Sequence, residues 1–295
     1  MARIAIIGPG AIGGVMASWL GRTGVHDVIV CARRSLGTLT LETPTETIVS
    51  TPTVVTVSEE ASAVDWVLVA TKAYDADAAA AWFPKLRNNG TRFAILQNGV
   101  EHRERFAPYV AAEKILPVLI YCPAERVEPN LIRQRRAARL VVEVSRAGCD
   151  FASLFAGTKV EVETTGDFTT ELWRKLCVNA PGVLCALLMQ PNGIFRDEGV
   201  AEVAREIIRE CIAVARAEGA LLDESVVEPS LDVFRKGPPD VMNSMHADRV
   251  AGRRMEIDAR NGAIVRLGRK HGIPTPSNQM AVMLLEKLGG PQLGA

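Results

Sequence analysis

The sequence carries no net charge, because 34 lysines and arginines balance 34 aspartates and glutamates. This balance gives no electrostatic reason to expect a nucleic acid or an acidic membrane surface as a partner. The sequence also lacks any apolar run of about 18 residues, the length that a membrane span requires. Its start, MARIAIIGPG, has too short an apolar run for a signal peptide. We therefore expect a soluble cytoplasmic protein.

Cysteine and histidine are few and follow no metal-binding pattern. The six cysteines form no CxxC pair, and most lie in apolar runs, where a thiol behaves as a small hydrophobic group. His26, His102, His246 and His271 have no metal-ligand spacing, and we interpret His246 as a helix-surface residue. These features are typical of the reducing cytoplasm and predict no metal site.

The first half of the chain alternates short β-branched runs with helical or turn segments, as in a parallel sheet buried on both faces. The predicted strands are Arg3–Ile7, Asp27–Ala32, Trp66–Ala70, Arg92–Leu96 and Ile115–Tyr121. Two later runs, ARLVVEV and TKVEVET, are predicted to add strands at the sheet edge, with a crossover helix between them. The sequence thus predicts an α/β Rossmann-type domain over residues 1–166.

The first predicted strand runs directly into GPGAIGG, which has the G-x-G-x-x-G spacing. This spacing allows a tight turn, a backbone that approaches a pyrophosphate, and a helix N-terminus that faces the phosphates. Alone, the motif could be a glycine-rich turn of another α/β fold, but its position between a strand and an amphipathic helix favours dinucleotide binding. The predicted cofactor-binding residues here are Gly8, Pro9, Gly10, Ala11, Ile12 and Gly13.

The end of the second predicted strand bears on the choice of cofactor. NAD-binding proteins usually carry an acidic residue there, about 20 residues beyond the glycines, to hold the ribose 2′-hydroxyl. This chain has Arg33 instead, in CARRS. Because an arginine suits a 2′-phosphate better than a bare hydroxyl, we predict NADP(H). The alternative is a solvated surface arginine.

Two further polar residues follow predicted strands: Lys72 after VLVAT, and Asn98 after FAILQ. In an open parallel sheet, ligands bind beyond the carboxyl ends of the strands. We therefore predict that both residues face the crevice where the nicotinamide end of the cofactor lies. The alternatives are a solvated loop cation for Lys72 and an ordinary Asn-Gly turn former for Asn98.

After Gly166 the β-branched runs end and helical periodicity takes over, which predicts an all-helical domain over residues 167–295. An α/β domain followed by an all-α domain predicts a ligand cleft between the two. The predicted helical stretches are Thr169–Leu188, Glu202–Glu218, Ser230–Ser244, Glu256–His271 and Asn278–Lys287.

On the first of these helices, ELWRKLCVNAPGVL puts Lys175 and Asn179 four residues apart and so on one face. Aliphatic residues surround this polar pair, which either joins two helices or handles a substrate. Pro181 lacks the amide that would bond to the Cys177 carbonyl, and together with Gly182 it predicts a kink.

Ser244 and Glu256 would lie about 18 Å apart on one unbroken helix, too far to share a small ligand. We predict that this helix ends near Gly252 and restarts by Glu256. Glu256 would then lie in a first turn, where the helix dipole favours a carboxylate. From the residues alone, Ser244 could equally be a helix N-cap, and Glu256 a helix-terminal charge with no other role.

The chain resembles the ketopantoate reductase (2-dehydropantoate 2-reductase) family along nearly its whole length. The shared motifs are GPGAIGG, ATKAYD, LQNGV, ELWRKLCVNA and SMHADRVAGRRMEIDARNG with HGIPTPSN. The resemblance implies an NADP-dependent oxidoreductase of pantothenate biosynthesis that reduces 2-dehydropantoate to pantoate. It also implies a Rossmann domain followed by an all-α domain like the C-terminal domain of 6-phosphogluconate dehydrogenase.

The resemblance further implies roles for single residues. Lys175 would donate the proton to the ketone oxygen, and Glu256 would lie at the junction of cofactor and substrate as a second catalytic residue. Asn98, Lys175, Asn179 and Ser244 would bind the substrate, while Lys72, Asn98 and Glu256 would contact the cofactor. A lysine suits the proposed reaction, because hydride transfer to a carbonyl builds negative charge on oxygen.

One position departs from the family pattern. Many members carry a second asparagine four residues after the one matching Asn179, where this chain has Val183. A valine cannot hydrogen-bond to the hydroxyl end of 2-dehydropantoate, so a more apolar 2-oxo acid or ketone is an alternative substrate. A hydroxy-acid or opine-type dehydrogenase and a non-catalytic NADPH sensor are further alternatives. Oligomeric state stays open as well: the apolar helices of the second domain would form either the face of a homodimer or simply the core of that domain.

Overall fold

The strands of the chain form three sheets, in a computed structural model that describes residues 1–288. In chain order, β1 to β13 are Arg3–Ile7, Asp27–Cys31, Leu39–Glu42, Thr47–Ser50, Thr53–Val55, Trp66–Val69, Arg92–Ile95, Ile115–Pro117, Leu119–Tyr121, Ala124–Glu128, Leu131–Gln134, Arg139–Glu143 and Glu161–Thr165. In the same order, α1 to α12 are Ala11–Thr23, Ala76–Ala80, Phe83–Leu86, His102–Phe106, Arg146–Leu154, Phe168–Asn179, Val183–Leu188, Glu198–Ala217, Val227–Arg235, Ser244–Val250, Ala263–His271 and Pro276–Leu288.

The chain divides into two compact units, each with its own apolar core. The N-terminal unit comprises Met1–Asn98 and His102–Phe168, and the C-terminal unit comprises Gly99–Glu101 and the chain from Thr169 onward. Residues 289–295 of the predicted helical domain lie outside the described residues.

The main sheet of the N-terminal unit has six parallel strands in the order β5-β2-β1-β6-β7-β8. Strands β1 and β6 run through its middle as nearly continuous aliphatic segments that are buried on both faces, as parallel sheets require. The predicted parallel α/β fold is confirmed. The strand predicted over Ile115–Tyr121 divides at Val118 into β8, which pairs with β7, and β9, which pairs with β12 instead.

The predicted later strands are present as β12 and β13, with the predicted helix α5 between them. Ser145 caps α5 by accepting a hydrogen bond from the Gly148 amide. These strands form a small sheet with β9, which follows directly on the edge strand β8 of the main sheet.

A four-stranded sheet in the order β10-β11-β3-β4 packs against α1 and was not predicted. Its strands are short, and strands from distant parts of the chain pair in it: β11 lies parallel to β3. Ile132 of this sheet approaches α1 closely, since a Cβ built on Gly14 would lie 1.9 Å from its Cδ1 atom.

From Thr169 to residue 288 the described chain is helical, which confirms the predicted all-α half. Helix α8 packs against α9, α11 and α12. Its buried face includes Ala201, Ala204, Ile208 and Cys211, at the spacing of a helix with one apolar side. Among the helices of residues 1–288, none has both the length and the apolar character that crossing a membrane would require.

Two predicted helical stretches are interrupted. The first ends as α6 at Asn179 and resumes as α7 at Val183, after a 3-10 turn over Ala180–Gly182, so the kink predicted from Pro181 is confirmed. The stretch predicted over Ser230–Ser244 is wrong in its middle, because α9 ends at Arg235 before Gly237 and two prolines.

Candidate active site

The glycine-rich turn joins β1 to α1, and its three glycines meet three different demands. Gly8 has φ +90°, and a Cβ there would lie 2.7 Å from Thr71 Cγ2. A Cβ on Gly13 would lie 2.2 Å from the Gly8 carbonyl oxygen, so only glycine lets α1 approach the turn this closely. A Cβ on Gly10 would meet no atom within 4 Å. The space beside Gly10 is therefore open to a ligand.

The N-terminus of α1 is suited to hold a phosphate. Its N-cap is Gly10, which supplies no side-chain hydrogen bond, and its first turn contains no acidic residue. The first amides of the helix thus meet neither a capping side chain nor a competing carboxylate, while the helix dipole favours an anion. The predicted residues Pro9, Ala11 and Ile12 lie in this turn and are partly exposed. These features fit the pyrophosphate of a dinucleotide.

Arg33 lies at the same end of the sheet as the glycine turn. The Gly8 amide donates a 3.2 Å hydrogen bond to the carbonyl of Cys31, the last residue of β2, and Arg33 follows two residues later. Arg33 and Arg34 are both exposed. Neither forms an ion pair with another described residue. Arg33 is thus available to an anionic ligand near the turn.

Lys72 and Asn98 follow neighbouring strands, β6 and β7, and both are partly buried. The side-chain amide of Gln97 ties these two strand ends together by donating to Thr71 Oγ1 at 3.1 Å and to the Lys72 carbonyl at 3.3 Å. The predicted cofactor residues of the N-terminal unit therefore lie at one edge of the main sheet. Gln97, which was not a predicted site residue, thus links the ends of the two strands.

Lys175 and Asn179 lie one turn apart on α6, and both are partly buried. The α-helix ends at Asn179 and passes into a 3-10 turn, in which the Val183 amide donates to the Ala180 carbonyl. Arg260 Nη2 donates to the Asn179 carbonyl at 2.7 Å, and Asn261 Nδ2 donates to that of Ala180 at 3.1 Å. Both donors come from one π-helical turn, Asp258–Gly262.

Ser244 is the first residue of α10 and is exposed. It is not the N-cap: that position is held by Asn243, whose Oδ1 accepts hydrogen bonds from the amides of Met245 and His246 at 3.0 and 3.1 Å. The Ser244 hydroxyl instead accepts a 3.4 Å hydrogen bond from Arg260 Nη1. The N-cap alternative for Ser244 is therefore wrong.

The predicted end of this helix near Gly252 is confirmed. Helix α10 closes with a Schellman motif, in which the Arg253 amide bonds to the Asp248 carbonyl and Gly252 has φ +62°. Glu256 then precedes the π-helical turn by two residues, so the prediction that it lies in a first helical turn is wrong. Its side chain is 6% exposed, so it is not a solvated surface charge.

Arg260 was not predicted as a site residue, although it links two residues that were. It is 4% exposed and contacts both Asn179 and Ser244. Burial lowers the pKa of Arg260, while the nearby carboxylates of Glu256 and Asp248 act in the opposite direction. A sequence signal did exist, because Arg260 shares a helix face with Ile257 and Ile264, which are both buried.

His246 and Val183 both lie in buried positions. His246 is 3% exposed, so its interpretation as a helix-surface residue is wrong; burial, with a smaller effect of Arg249, lowers its pKa. Val183 is 0% exposed and packs in the core of the C-terminal unit. A side chain in that position does not line a ligand surface. Residues 1–288 contain no cluster of three potential metal ligands.

Comparison with known proteins gives family matches along the chain. The family model described as Ketopantoate reductase PanE/ApbA matches residues 4–146, and the one described as Ketopantoate reductase PanE/ApbA C terminal matches residues 167–289. The 2-dehydropantoate 2-reductase of Caulobacter vibrioides is 49% identical over 285 residues, which cover 97% of this chain and 98% of the relative. That of Mycobacterium tuberculosis is 38% identical and covers 96% of each chain.

A solved structure extends the similarity to the fold. The PanE/ApbA family ketopantoate reductase from Ralstonia eutropha JMP134 has a TM-score of 0.91 and 32% identity, and the match covers 99% of this chain and 100% of that one. Ketopantoate reductases are oxidoreductases that act on a CH–OH group with NADP(H). Both family models and the full-length relatives agree with the motifs, and the chain belongs to the ketopantoate reductase family.

Proposed function

We propose that this chain reduces 2-dehydropantoate to pantoate with NADPH. The observation that carries the proposal is the similarity, at 49% identity over nearly the whole length, to a 2-dehydropantoate 2-reductase. The residues expected to act on cofactor and substrate are all present. The cofactor residues expected in the N-terminal unit lie at one edge of the main sheet, and Arg260 contacts two of the residues expected to bind the substrate.

The N-terminal unit fits the cofactor. The open space beside Gly10 and the uncapped amides of α1 support a pyrophosphate site, and the exposed Arg33 supports recognition of the 2′-phosphate. Lys72 and Asn98 would hold the nicotinamide half of the molecule. The bound cofactor supplies the hydride that reduces the carbonyl carbon.

The C-terminal unit supplies the acid and the substrate contacts. Negative charge develops on the ketone oxygen as the carbonyl is reduced, and the Lys175 ammonium stabilises that charge and donates the proton. Asn179, one helical turn beyond Lys175, and Ser244 would hold the substrate. The buried Glu256 carboxylate would act next to the reacting groups as the second catalytic residue.

A more apolar 2-oxo acid is the second candidate substrate. This candidate was suggested by Val183, which replaces an asparagine of the family pattern. The Val183 side chain is fully buried in the core, however, and so does not line a substrate site. We therefore favour 2-dehydropantoate.

The test follows NADPH absorbance with a panel that contains 2-dehydropantoate, pyruvate, branched aliphatic 2-oxo acids and phenylglyoxylate. We expect the highest kcat/KM with 2-dehydropantoate. A higher value with an apolar 2-oxo acid would favour the second candidate. NADPH binding without turnover on any acid would indicate a sensor, and oxidation of hydroxy acids alone would indicate a dehydrogenase.

The role of Lys175 is tested by Lys175→Met. Methionine keeps an unbranched apolar side chain but lacks the ammonium group that would donate the proton. We expect kcat to fall by roughly 10²–10⁴-fold while the Kd for NADPH stays unchanged. Arg174→Met is the matched control, because Arg174 is the neighbouring cation on the exposed side of the same helix. Turnover like that of the wild type in Lys175→Met would exclude Lys175 as the acid.

A further inference from the structure

Arg260 is a buried cation placed between the two elements that carry the proposed substrate residues. Its Nη2 bonds to the carbonyl of Asn179 at the end of α6, and its Nη1 bonds to the hydroxyl of Ser244 at the start of α10. The third donor, Nε, is buried and has no hydrogen-bond partner among the described residues. A buried arginine is costly to desolvate, so this arrangement needs a reason beyond packing.

The hydrogen bond to Ser244 fixes the direction of the serine hydroxyl. Arginine has only donors, so the Ser244 oxygen must accept in this contact and its own proton must point elsewhere. Among the described residues of its unit, nothing accepts a hydrogen bond from the Ser244 hydroxyl. Ser244 is thus held as a donor on an exposed position. A carboxylate, which only accepts, is the complementary ligand.

The charge of Arg260 also sets the local field. The carboxylates of Glu256 and Asp248 lie close enough to influence it, and both are themselves buried. Without the charge of Arg260, which contacts Ser244, these two carboxylates would act unopposed by it on an anionic ligand at the serine. Arg253 neutralises part of the Asp248 charge through a 2.9 Å ion pair, but its side chain is 60% exposed.

We propose that Arg260 is a positioning residue for substrate binding: it holds Ser244 as a hydrogen-bond donor to the substrate carboxylate and fixes the end of α6 that carries Asn179. This inference rests on the proposed function, because it takes the substrate to be a 2-oxo acid. Arg260 acts through Ser244 and Asn179 and does not itself take part in hydride or proton transfer.

The test compares Arg260→Lys and Arg260→Gln with the control Arg253→Lys in the full-length protein. Lysine keeps the charge but cannot reach both partners, and glutamine keeps a donor without a buried charge. We expect KM for the 2-oxo acid to rise by roughly ten- to a hundredfold in both Arg260 variants, while the Kd for NADPH stays within about twofold. Arg253→Lys should leave both values unchanged.

A double-mutant cycle with Ser244→Ala separates positioning from a merely structural role. If Arg260 acts through Ser244, adding Ser244→Ala to Arg260→Lys should raise KM little further. An additive effect on KM, or a fall in Tm with KM unchanged, would overturn the inference.

A binding experiment separates failure of this inference from failure of the proposed function. The probe is oxamate, an isostere of a 2-oxo acid without a reducible ketone. Its binding is measured by calorimetry in the presence of NADPH. Weaker binding to Arg260→Lys than to wild type would support the inference even if no 2-oxo acid is turned over. Equal binding to both proteins would overturn it while leaving the reductase activity intact.

Discussion

The guanidinium of Arg260 donates a 2.7 Å hydrogen bond to the main-chain carbonyl of Asn179, the last residue of α6. A cation at this end of a helix is favoured by the helix dipole. Beyond Asn179, Pro181 interrupts the α-helix and the chain continues as a 3-10 turn. The start of the 3-10 turn and the buried arginine therefore meet at the same residue, Asn179.

Pro181→Ala should lower the free energy of unfolding by about 0.4–1 kcal/mol, because proline restricts the unfolded chain and already fits its place in the 3-10 turn. Urea denaturation of both proteins with a common m-value measures the change. A stability gain would mean instead that α6 continues through residue 181 and recovers the hydrogen bond to the Cys177 carbonyl.

Arg33→Ala should remove most of the preference for NADPH over NADH. A charge-assisted contact of about 1.5–3 kcal/mol corresponds to a factor of roughly 10 to 150, so the ratio of the two kcat/KM values should fall by that order. Steady-state kinetics with each cofactor gives the ratio. Arg146→Ala is the control, because its side chain is 90% exposed on α5. Comparable use of both cofactors by the wild type would contradict the assignment of Arg33.

His246 should contribute a pH-dependent part of the stability. Burial lowers its folded-state pKa below the ordinary value of 6.5, so the unfolded chain binds the proton more readily. The contribution is fully present above pH 6.5 and is lost as the pH falls towards the folded pKa. In His246→Asn, the free energy of unfolding should decrease less steeply between about pH 6.5 and 5 than in wild type. Identical slopes would show that His246 titrates normally.

The parts of the fold that could be predicted from the sequence are those set by local pattern. Strand β1 has the predicted bounds, Arg3–Ile7, because an aliphatic run next to a glycine turn determines both its burial and its end. Strands β3 and β11 were missed because each is a four-residue segment, and the pairing of the two with each other joins distant parts of the chain. Pairing of this kind depends on tertiary packing and leaves only a weak periodic signal.

The same distinction applies to the candidate site. The helical spacing of Lys175 and Asn179 could be predicted, since it depends on one helix. The N-cap role that was left open for Ser244 belongs to Asn243, one residue earlier, and the sequence did not separate the two because both residue types cap helices well. The spacing of Arg260 from Ile257 and Ile264 indicates a buried face, but its contacts with α6 and α10 depend on tertiary packing and could not be predicted from its own segment.

Val183→Asn tests whether the departure from the family pattern alters substrate choice or only the core. Because Val183 is 0% exposed within an apolar cluster, an asparagine there would bury an amide without partners. We expect the free energy of unfolding to fall by about 1–3 kcal/mol, with KM for 2-dehydropantoate unchanged. Val183→Ala is the matched control for lost packing, since it removes volume and adds no polar atom. A lower KM for 2-dehydropantoate at unchanged stability would instead place residue 183 at the substrate, and would favour an apolar 2-oxo acid for the wild-type protein.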